Sequence, residues 1–403
     1  MAYTGTVLPF DHNGREPIIE RLAWLTTVSQ KRNGAEQRQA LRTRPRREFE
    51  YSFLPTTKSE RAYVENFMWG AQASEMLIPI WSDAQTLQIA ATSGASEVSV
   101  ATPTRDYDPG GFVLLWRNLR EFEAVEIAAV GADTLTLAEP LENDWPATET
   151  VIVPARFGRL SERLDGTAFG ANVKTYKVPC LLREDQASVN RLPEVTPRTY
   201  LGVEVWEEAS ETSEQRSLSF EASFNLLDFS YGLTARDAGA RDKPFGIFAW
   251  NNLLLDRLQI TKYLAFLERQ KGRLKNFWLP TFETDFDLQA LNFGSFDYTR
   301  NGFADLVNAQ QGRRDIAIYH ERKTTNYASD SFTYKRLASV ANLSATLERA
   351  TVSMNDYAWF EVEALRIGLL KWCRLEGDTV EIAWQTPTLA QSNLVLRESF
   401  ITG

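Results

Sequence analysis

Alternation of apolar and polar residues along the chain predicts a protein built mainly from β-strands. Residues 49–53 alternate strictly, as expected of a strand that buries one face. Similar short runs occur at regular spacing, for example at 112–116 and 315–319. Residues 58–70 and 258–272 combine the apolar spacing of a helix with a terminal glycine. We therefore expect mainly β structure with a few short helices.

The same order of features occurs twice along the chain. Each half contains a tryptophan, then a Glu-Gln-Arg triplet, then an alternating strand that precedes the helix. These features lie at Trp24, 36–38 and 49–53 in the first half and at Trp206, 214–216 and 218–224 in the second. An apolar segment follows each helix, and its residues Pro79 and Trp81 lie 201 positions before Pro280 and Phe282. This repetition predicts two similar modules in tandem.

Short strands follow the helix in each half and suggest a small β domain inserted at that point. They are predicted at 112–116, 123–127 and 134–137, and again at 315–319, 331–334 and 343–347. Closing strands are predicted at 151–157, 174–180, 360–365 and 379–384. We expect a first β-barrel or sandwich module at residues 1–183, with a small β insertion at about 90–150. A similar second module is expected at 184–403, with an insertion at about 295–350.

The composition excludes several classes of function but says little about the fold. The chain has 44 Lys and Arg against 53 Asp and Glu, and this net charge of −9 argues against a nucleic-acid coat. No uncharged apolar stretch reaches the roughly 18 residues that span a bilayer, and no secretory signal precedes the first strand. We therefore expect a soluble protein made in a cytosol. The chain has two cysteines, Cys180 and Cys373, which are too few for a disulfide framework or a cysteine zinc site. A disulfide bond between the two is an alternative that the sequence does not decide.

Few residues suit enzymatic chemistry. His12 lies in a turn pattern and His320 in a strand pattern, and no G-x-S-x-G or glycine-rich phosphate loop occurs. The aspartates within 106–111 and 285–287 could ligate calcium or form a glycosidase pair. The first pattern is, however, typical of a tight turn, and neither has the ligand spacing of a known ion loop. We therefore predict no catalytic residue, no cofactor and no metal site.

Four short motifs resemble those of one group of phage proteins. They are the turn Gly34-Ala35-Glu36-Gln37-Arg38, the strand at 47–51, the apolar segment at 77–83 and the closing strand at 374–382. In this order they resemble siphophage tail-tip proteins of the distal-tail and minor-tail type. In those families a Gly-x-Glu-x-Arg turn precedes a strand, a helix and an apolar segment with a proline and an aromatic-Asp pair. The resemblance covers most of the chain in two copies, although Ser213 replaces the turn glycine in the second.

The resemblance implies a structural role at the distal end of a long non-contractile tail. The chain would be made in the host cytoplasm and become part of the virion as a ring or adaptor. Its partners would be the tail tube protein, the hub and central fibre proteins, and further copies of itself. An acidic lumen would let DNA pass without specific binding, because like charges repel the phosphates.

Duplication within such a chain bears on the symmetry of the ring. The resemblance implies a sixfold tail tube above a threefold hub and fibre. Three chains of two modules each would present six similar modules to the tube, so we favour a trimer with pseudo-sixfold symmetry. A plain hexamer of two-domain chains is the alternative.

A basic segment between residues 31 and 47 is the candidate protein interface. It holds seven cations and a single acid, Glu36, and arginine predominates, which favours bidentate pairing with carboxylates. We predict that it contacts an acidic neighbouring subunit, with a solvated hairpin face and nucleic acid as alternatives. The candidate interface residues are Arg38, Arg42, Arg44, Arg46 and Arg47.

Two other functions are compatible with the sequence. A carbohydrate- or receptor-binding protein would use some of the 11 tryptophans as exposed stacking platforms. A β-rich glycoside hydrolase would use a pair of Asp or Glu residues. A ring protein would instead place its exposed aromatic residues at the seams between subunits.

Overall fold

The computed structural model describes residues 3–31, 35–169, 173–183, 196–211, 217–221, 225–228, 230, 234–237, 245–292, 294–299, 302, 307, 313–320, 332–348 and 365–399. Within them it contains 28 strands, two α-helices and one short 3-10 helix, so the predicted mainly β class is confirmed. Several predicted features lie outside the described residues, namely Arg32, the turn at 33–34, the triplet at 214–216, Phe224 and most of the strand at 360–365.

The first half contains thirteen strands and one helix among the described residues. They are β1 (Ile18–Ala23), β2 (Thr26–Gln30), β3 (Glu36–Ala40), β4 (Arg46–Phe53), α1 (Lys58–Ala71), β5 (Met76–Pro79), β6 (Gln85–Thr86), β7 (Glu97–Ser99), β8 (Phe112–Asn118), β9 (Glu121–Val130), β10 (Thr134–Leu137), β11 (Val151–Leu160), β12 (Gly166–Ala168) and β13 (Lys174–Leu182). The 3-10 helix, Trp81–Asp83, lies between β5 and β6.

The second half contains fifteen strands and one helix among the described residues. They are β14 (Thr199–Tyr200), β15 (Val203–Glu204), β16 (Leu218–Glu221), β17 (Asn225–Asp228), β18 (Thr234–Asp237), β19 (Phe245–Leu254), α2 (Arg257–Gln270), β20 (Phe277–Pro280), β21 (Leu288–Asn292), β22 (Ser295–Tyr298), β23 (Asp315–His320), β24 (Phe332–Val340), β25 (Ser344–Leu347), β26 (Leu365–Leu375), β27 (Thr379–Thr386) and β28 (Leu389–Glu398).

The two helices begin in the same way. Thr57 caps α1 by accepting a hydrogen bond from the backbone N–H of Glu60, whose carboxylate accepts in return from the Thr57 N–H. Asp256 caps α2 by accepting at 2.7 Å from the N–H of Gln259. Each cap satisfies backbone donors that the first turn of a helix leaves without partners. Each helix therefore starts at a set point after the strand that precedes it.

One pattern of antiparallel strand pairing occurs in both halves. In the first half β4 lies between β1 and β13, and β11 pairs with β13, β5 and β8. From β8 the sheet continues through β9 and β10 to β7. In the second half β19 lies between β16 and β28, and β26 pairs with β28, β20 and β23. From β23 the sheet continues through β24 and β25 to β22.

The correspondence extends to individual residues. The register of β4 with β13 and of β19 with β28 makes Phe49 the counterpart of Phe248, and Tyr51 the counterpart of Trp250. All four side chains are buried. A parallel bridge joins Val7 to β5 and an equivalent bridge joins Val205 to β20. The hairpins β2–β3 and β17–β18 occupy the same place, between the first strand of the pattern and the strand before the helix.

The structure changes two of the residue equivalences predicted from sequence. The strand before α2 is β19, so the counterpart of β4 is β19 and not the run at 218–224. Trp206 follows the bridge residue Val205, which makes it the counterpart of Leu8 rather than of Trp24. Sequence alternation missed β19 because seven of its ten residues, on both faces, are buried.

Both halves contribute to one hydrophobic core. It contains Leu22 from β1 and Val380 from β27, among many other buried residues. The strands β7–β10 pack around a cluster of their own that includes Val98, and β22–β25 pack around another that includes Phe296. These two groups of strands lie within the sequence ranges predicted for the insertions, about 90–150 and 295–350. The two copies of the pattern therefore share a centre, while each small subdomain has its own core.

Candidate interaction site at the joint between the halves

The two halves meet through one pair of strand edges. β1 pairs antiparallel with β27 over six residues and also pairs with β4, which makes the main sheet continuous across the joint. Arg21 on β1 donates to Glu381 on β27 at 2.5 Å and to Glu50 on β4 at 3.0 Å. The joint is asymmetric, because β1 and β27 are not counterparts of each other in the repeated pattern.

The hairpin β2–β3 of the first half extends onto the second half. Arg38 donates to the side chain of Asn276 at 2.7 Å and lies 2.6 Å from Glu36. Arg374 on β26 donates to both carboxylate oxygens of Glu36, each at 3.0 Å. Burial acts against the charged form, but the hydrogen bonds and charges of Arg374 and Arg38 lower the pKa of Glu36. This hairpin holds the two halves together through charge-assisted hydrogen bonds.

Asp378, in the turn between β26 and β27, makes a second set of contacts. Its carboxylate accepts from the N–H of Thr26 at 2.7 Å and from the N–H of Arg273 at 3.0 Å, and the Arg273 guanidinium donates at 3.1 Å. Gly272 has a positive φ of 64°. A Cβ at this position would lie 2.5 Å from Asp378 and 3.1 Å from Trp24. Glycine therefore permits the close approach of the α2 end to this turn.

Replacing Asp378 by asparagine is expected to destabilise the chain by about 1–3 kcal/mol at pH 7. Burial opposes ionisation, but the hydrogen bonds from Arg273 and Thr26 lower the folded-state pKa of Asp378. Its stabilising contribution is therefore present above the unfolded pKa and is lost as pH falls through the folded pKa. Urea unfolding at several pH values should show the difference from wild type vanishing in acid. Asp133→Asn, in an exposed turn, should change stability little at any pH.

A buried ionic cluster lies beside β1. Arg156 on β11 donates to Asp106 and to Asp108, each at 2.5 Å. Arg47 on β4 donates to the other oxygen of Asp106 at 2.5 Å and to Glu20 on β1 at 3.2 Å. The side chains of Asp106 and Glu20 are fully buried. Their charges are compensated by the two arginines, which burial of ionised carboxylates requires.

Two contacts connect this region to the second half. The indole of Trp384 on β27 donates to Glu20 at 3.0 Å. Arg257, the first residue of α2, forms an ion pair with the buried carboxylate of Asp83 and donates to the Thr104 carbonyl at 2.7 Å. Its guanidinium also lies 5.2 Å from the ring centroid of Trp384, within range of a cation–π interaction.

The five candidate interface arginines have different environments. Arg38 and Arg47 contact acidic groups of the same chain, so their acidic neighbours are intramolecular. Arg42 donates to the carbonyl of the last residue of β1 at 3.2 Å. Arg44 and Arg46 are exposed. Contact with another subunit therefore stays a prediction for Arg42, Arg44 and Arg46, while Arg38 contacts the second half and Arg47 pairs with acidic residues of the first half.

The other singled-out residues are mostly buried. The aspartates at 106 and 108, considered as calcium ligands, are neutralised by arginines instead. Asp285 accepts from the Thr281 hydroxyl at 2.6 Å and from a backbone N–H of β26, while burial raises its pKa. Cys180 and Cys373 are buried free thiols, so the bridge left open by the sequence is not formed. Among the described residues, no group of three or more His, Cys, Asp or Glu could hold a metal ion.

Sequence reasoning missed the ionic contacts of Arg156, Arg257 and Asp83. Arg156 had a signal, since it interrupts the apolar run of β11 and a charge in such a run needs a buried partner. Asp83 lies in the motif segment at 77–83, but the sequence gives no indication that Arg257 is its partner. The two residues are 174 positions apart in the chain.

The exposed tryptophan and phenylalanine side chains lie in three places. Among the described residues they are Trp69 (91% exposed), Phe169 (69%) and Phe220 (65%). Trp69 lies at the end of α1 beside a groove of about 900 Å³ that Arg159 and Glu162 also line. Phe169 follows β12, and Phe220 lies on β16. Exposed aromatic residues of this kind are enriched at protein–protein interfaces.

The chain has no recognised relatives in two comparisons with known proteins. No protein-family model matches it, and a search of curated proteins finds no significant match. Among the described residues, no helix has the length and apolar character needed to cross a bilayer.

Proposed function

We propose that this chain is a virion structural protein at the distal end of a long non-contractile phage tail. There it forms a ring or adaptor between the tail tube and the hub or fibres. The observation that carries the proposal is the repeated pairing pattern, whose two copies are joined head to tail through β1 and β27. An asymmetric joint between similar modules is the kind of contact from which rings are built.

The positions of the motif residues support this proposal. Glu36 and Arg38 come from the Gly-x-Glu-x-Arg motif, Asp83 from the apolar segment and Arg374 from the closing strand. Glu36 pairs with Arg38 on its own hairpin and with Arg374 across the joint, and Asp83 binds the first residue of α2. Residues from three of the four motifs thus contribute to contacts between the two halves.

A ring of three chains is the favoured stoichiometry. Three chains would present six similar modules to a sixfold tube, and the different loops of the two halves would present threefold features to the hub. The proposed partners are the tail tube protein, the hub and central fibre proteins, and other copies of the chain. The net charge of −9 is compatible with a lumen through which DNA passes without specific binding.

Binding of a carbohydrate or receptor is the second candidate. It is favoured by Trp69, which is exposed beside a groove that polar side chains line. The ring proposal explains the same residue as part of a seam and also explains Phe169 and Phe220. Retention of a monomer on a glycan column, lost in Trp69→Ala, would favour the second candidate.

The location is tested by gold-labelled antibody on phage particles that carry the gene. We expect label at the tip of intact tails and tails with altered tips when the gene is deleted. Label on capsids, or normal infectious tails without the protein, would rule out the proposed location. Isolated tails, rather than lysate, should be labelled, so that free protein does not contribute.

Replacing Arg44 and Arg46 with serine is expected to weaken assembly while leaving thermal unfolding nearly unchanged. Both side chains are exposed, and exposed charges contribute about 0–1 kcal/mol to stability. Light scattering should therefore show a higher concentration for half-assembly without a matching change in Tm. The control is Arg15→Ser with Arg117→Ser, two exposed arginines outside this segment. Equal assembly of both variants and wild type would contradict the prediction.

A further inference from the structure

Two strand edges of the pattern lack a partner strand within the described residues. β16 pairs with β19 on one side only, and β12 pairs with β13 on one side only. β16 is the counterpart of β1, because each is the outer neighbour of the strand that precedes a helix. β12 is the counterpart of β27, because each forms a hairpin with the last strand of its half. Within the described residues, β1 and β27 are therefore paired, whereas their counterparts β16 and β12 each have one edge without a partner strand.

We propose that β16 of one chain pairs with β12 of the next copy, repeating between chains the joint that β1 and β27 form within one. The partner of both edges is a second copy of this chain. This inference goes beyond the proposed function, because it depends on the repeated pattern and holds wherever the assembly is located. It is supported by continuity with an existing interface of the same fold.

The internal joint predicts the register between chains. On β16, the pairings with β19 make Phe220 the counterpart of Leu22 and Glu221 the counterpart of Ala23. The register of β12, continued two residues toward its start, makes Leu164 the counterpart of Val380. Because Leu22 lies opposite Val380 within the chain, Phe220 is placed opposite Leu164 of the next copy.

The side chains at these positions are complementary. Leu22 is 3% exposed at the internal joint, whereas its counterpart Phe220 is 65% exposed, although it lies on the same face of the sheet. An apolar neighbour such as Leu164 would cover it. One position further, Glu221, which is 54% exposed and pairs with Arg397 in its own chain at 3.1 Å, is placed opposite Arg163 of the next copy. Opposite charges at facing positions favour this register over a shift by one residue.

The surface that β2–β3 contacts on the second half has an equivalent surface on the first half. Within the chain, β2–β3 contacts Arg374 and Asn276, and Arg374 is 4% exposed because it binds Glu36. The counterpart of Arg374 is Arg159, whose side chain is exposed. The counterpart of Asn276 is Glu75, which precedes β5 as Asn276 precedes β20.

Arg159 and Glu75 line an open groove of about 470 Å³, and Arg159 also lines the larger groove beside Trp69. The hairpin β17–β18 is the counterpart of β2–β3, and the same number of residues separates its two strands. Repetition of the joint therefore places β17–β18 of one chain at these grooves of the next copy. The three exposed aromatic residues would then lie at or beside one seam.

Each chain offers one edge of each kind, so copies join head to tail. Such contacts grow into a filament unless the rotation between copies closes a ring. Three chains would close a ring of six modules if the rotation at the new joint equals that at the internal joint and is one sixth of a turn. The pairing itself does not depend on that number.

Disulfide trapping tests the register directly. The test variant is Phe220→Cys with Leu164→Cys, oxidised at a concentration at which wild type is oligomeric. The positive control is Leu22→Cys with Val380→Cys, which lies at the same register position within one chain. The negative control is Phe220→Cys with Asp165→Cys, because adjacent strand residues point to opposite faces. The native cysteines are buried and contribute little background.

We expect linked dimers and larger species in the test variant, at least tenfold more abundant than in the negative control. Cross-linking no greater than in the negative control, while the internal pair oxidises, would overturn the proposal. If wild type still formed rings in that case, the proposed ring would be retained, and a contact other than β16 with β12 would have to hold its chains together. If cross-links form but antibody does not label tail tips, the inference stands and the proposed location fails.

Charge reversal provides a second test that does not depend on cysteine geometry. Glu221→Arg alone and Arg163→Glu alone should each raise the concentration for half-assembly at least tenfold. The chain that carries both changes should assemble more readily than either single variant. Failure of the double variant to recover any assembly would count against contact between these two residues.

Discussion

Replacing Arg156 by methionine is expected to destabilise the chain by about 3–5 kcal/mol, because it leaves two buried carboxylates without their main cation. Arg156 binds both Asp106 and Asp108, and its own side chain is only 4% exposed. Arg47 would remain as a cation beside Asp106. Urea unfolding followed by tryptophan fluorescence measures the loss as a lower midpoint with an unchanged slope.

A matched control separates the cluster from the general effect of losing an arginine. Arg163→Met removes an arginine that is 85% exposed and pairs with Asp165 at the surface. It should shift stability by no more than about 0.5 kcal/mol. If Arg156→Met is as stable as Arg163→Met, the buried ion pairs are not important for the fold. Adding Asp106→Asn and Asp108→Asn to Arg156→Met should recover part of the loss, because the buried charges are then removed.

Replacing Arg257 by methionine is expected to cost about 3–5 kcal/mol and to loosen the contact between the halves. Arg257 is the cation beside the buried carboxylate of Asp83, and it also donates to the Thr104 carbonyl. Because Asp83 belongs to the first half and Arg257 to the second, the loss acts at the joint. Proteolysis between the halves should therefore accelerate together with the fall in stability.

The double variant Asp83→Asn with Arg257→Met tests whether the unpaired Asp83 carboxylate causes the loss of stability. Removing both charges should restore a large part of the stability, because the cost of the single change is an uncompensated buried charge. Arg117→Met is the control, since Arg117 pairs with Glu149 at the surface. A double variant no more stable than Arg257→Met would show that the pair is not the source of the effect.

The sequence was sufficient to predict the mainly β class. The runs at 112–116 and 315–319 were matched by pattern, and they became β8 and β23, which hold the same place in the two halves. Both runs are short and apolar, so the local pattern is informative. The strand β19 was missed because it is buried on both faces and shows no alternation.

The joint could not be predicted because it consists of contacts between distant positions. Glu36 and Arg374 are 338 residues apart in sequence, and Glu20 and Trp384 are 364 apart. The basic segment was predicted to contact another subunit, but nothing local indicates that Arg38 and Arg47 find their carboxylates in the same chain. Charge composition therefore did not indicate these intramolecular partners.

Mass photometry of the purified chain, followed by cryo-EM of the particles, tests the central claim that two similar modules per chain build a ring. The account predicts particles of three times the 45.7 kDa chain mass, with six similar densities around one axis. Particles of six chains with one inner and one outer module each would contradict the proposed trimer. A monomer at every accessible concentration would contradict the ring itself.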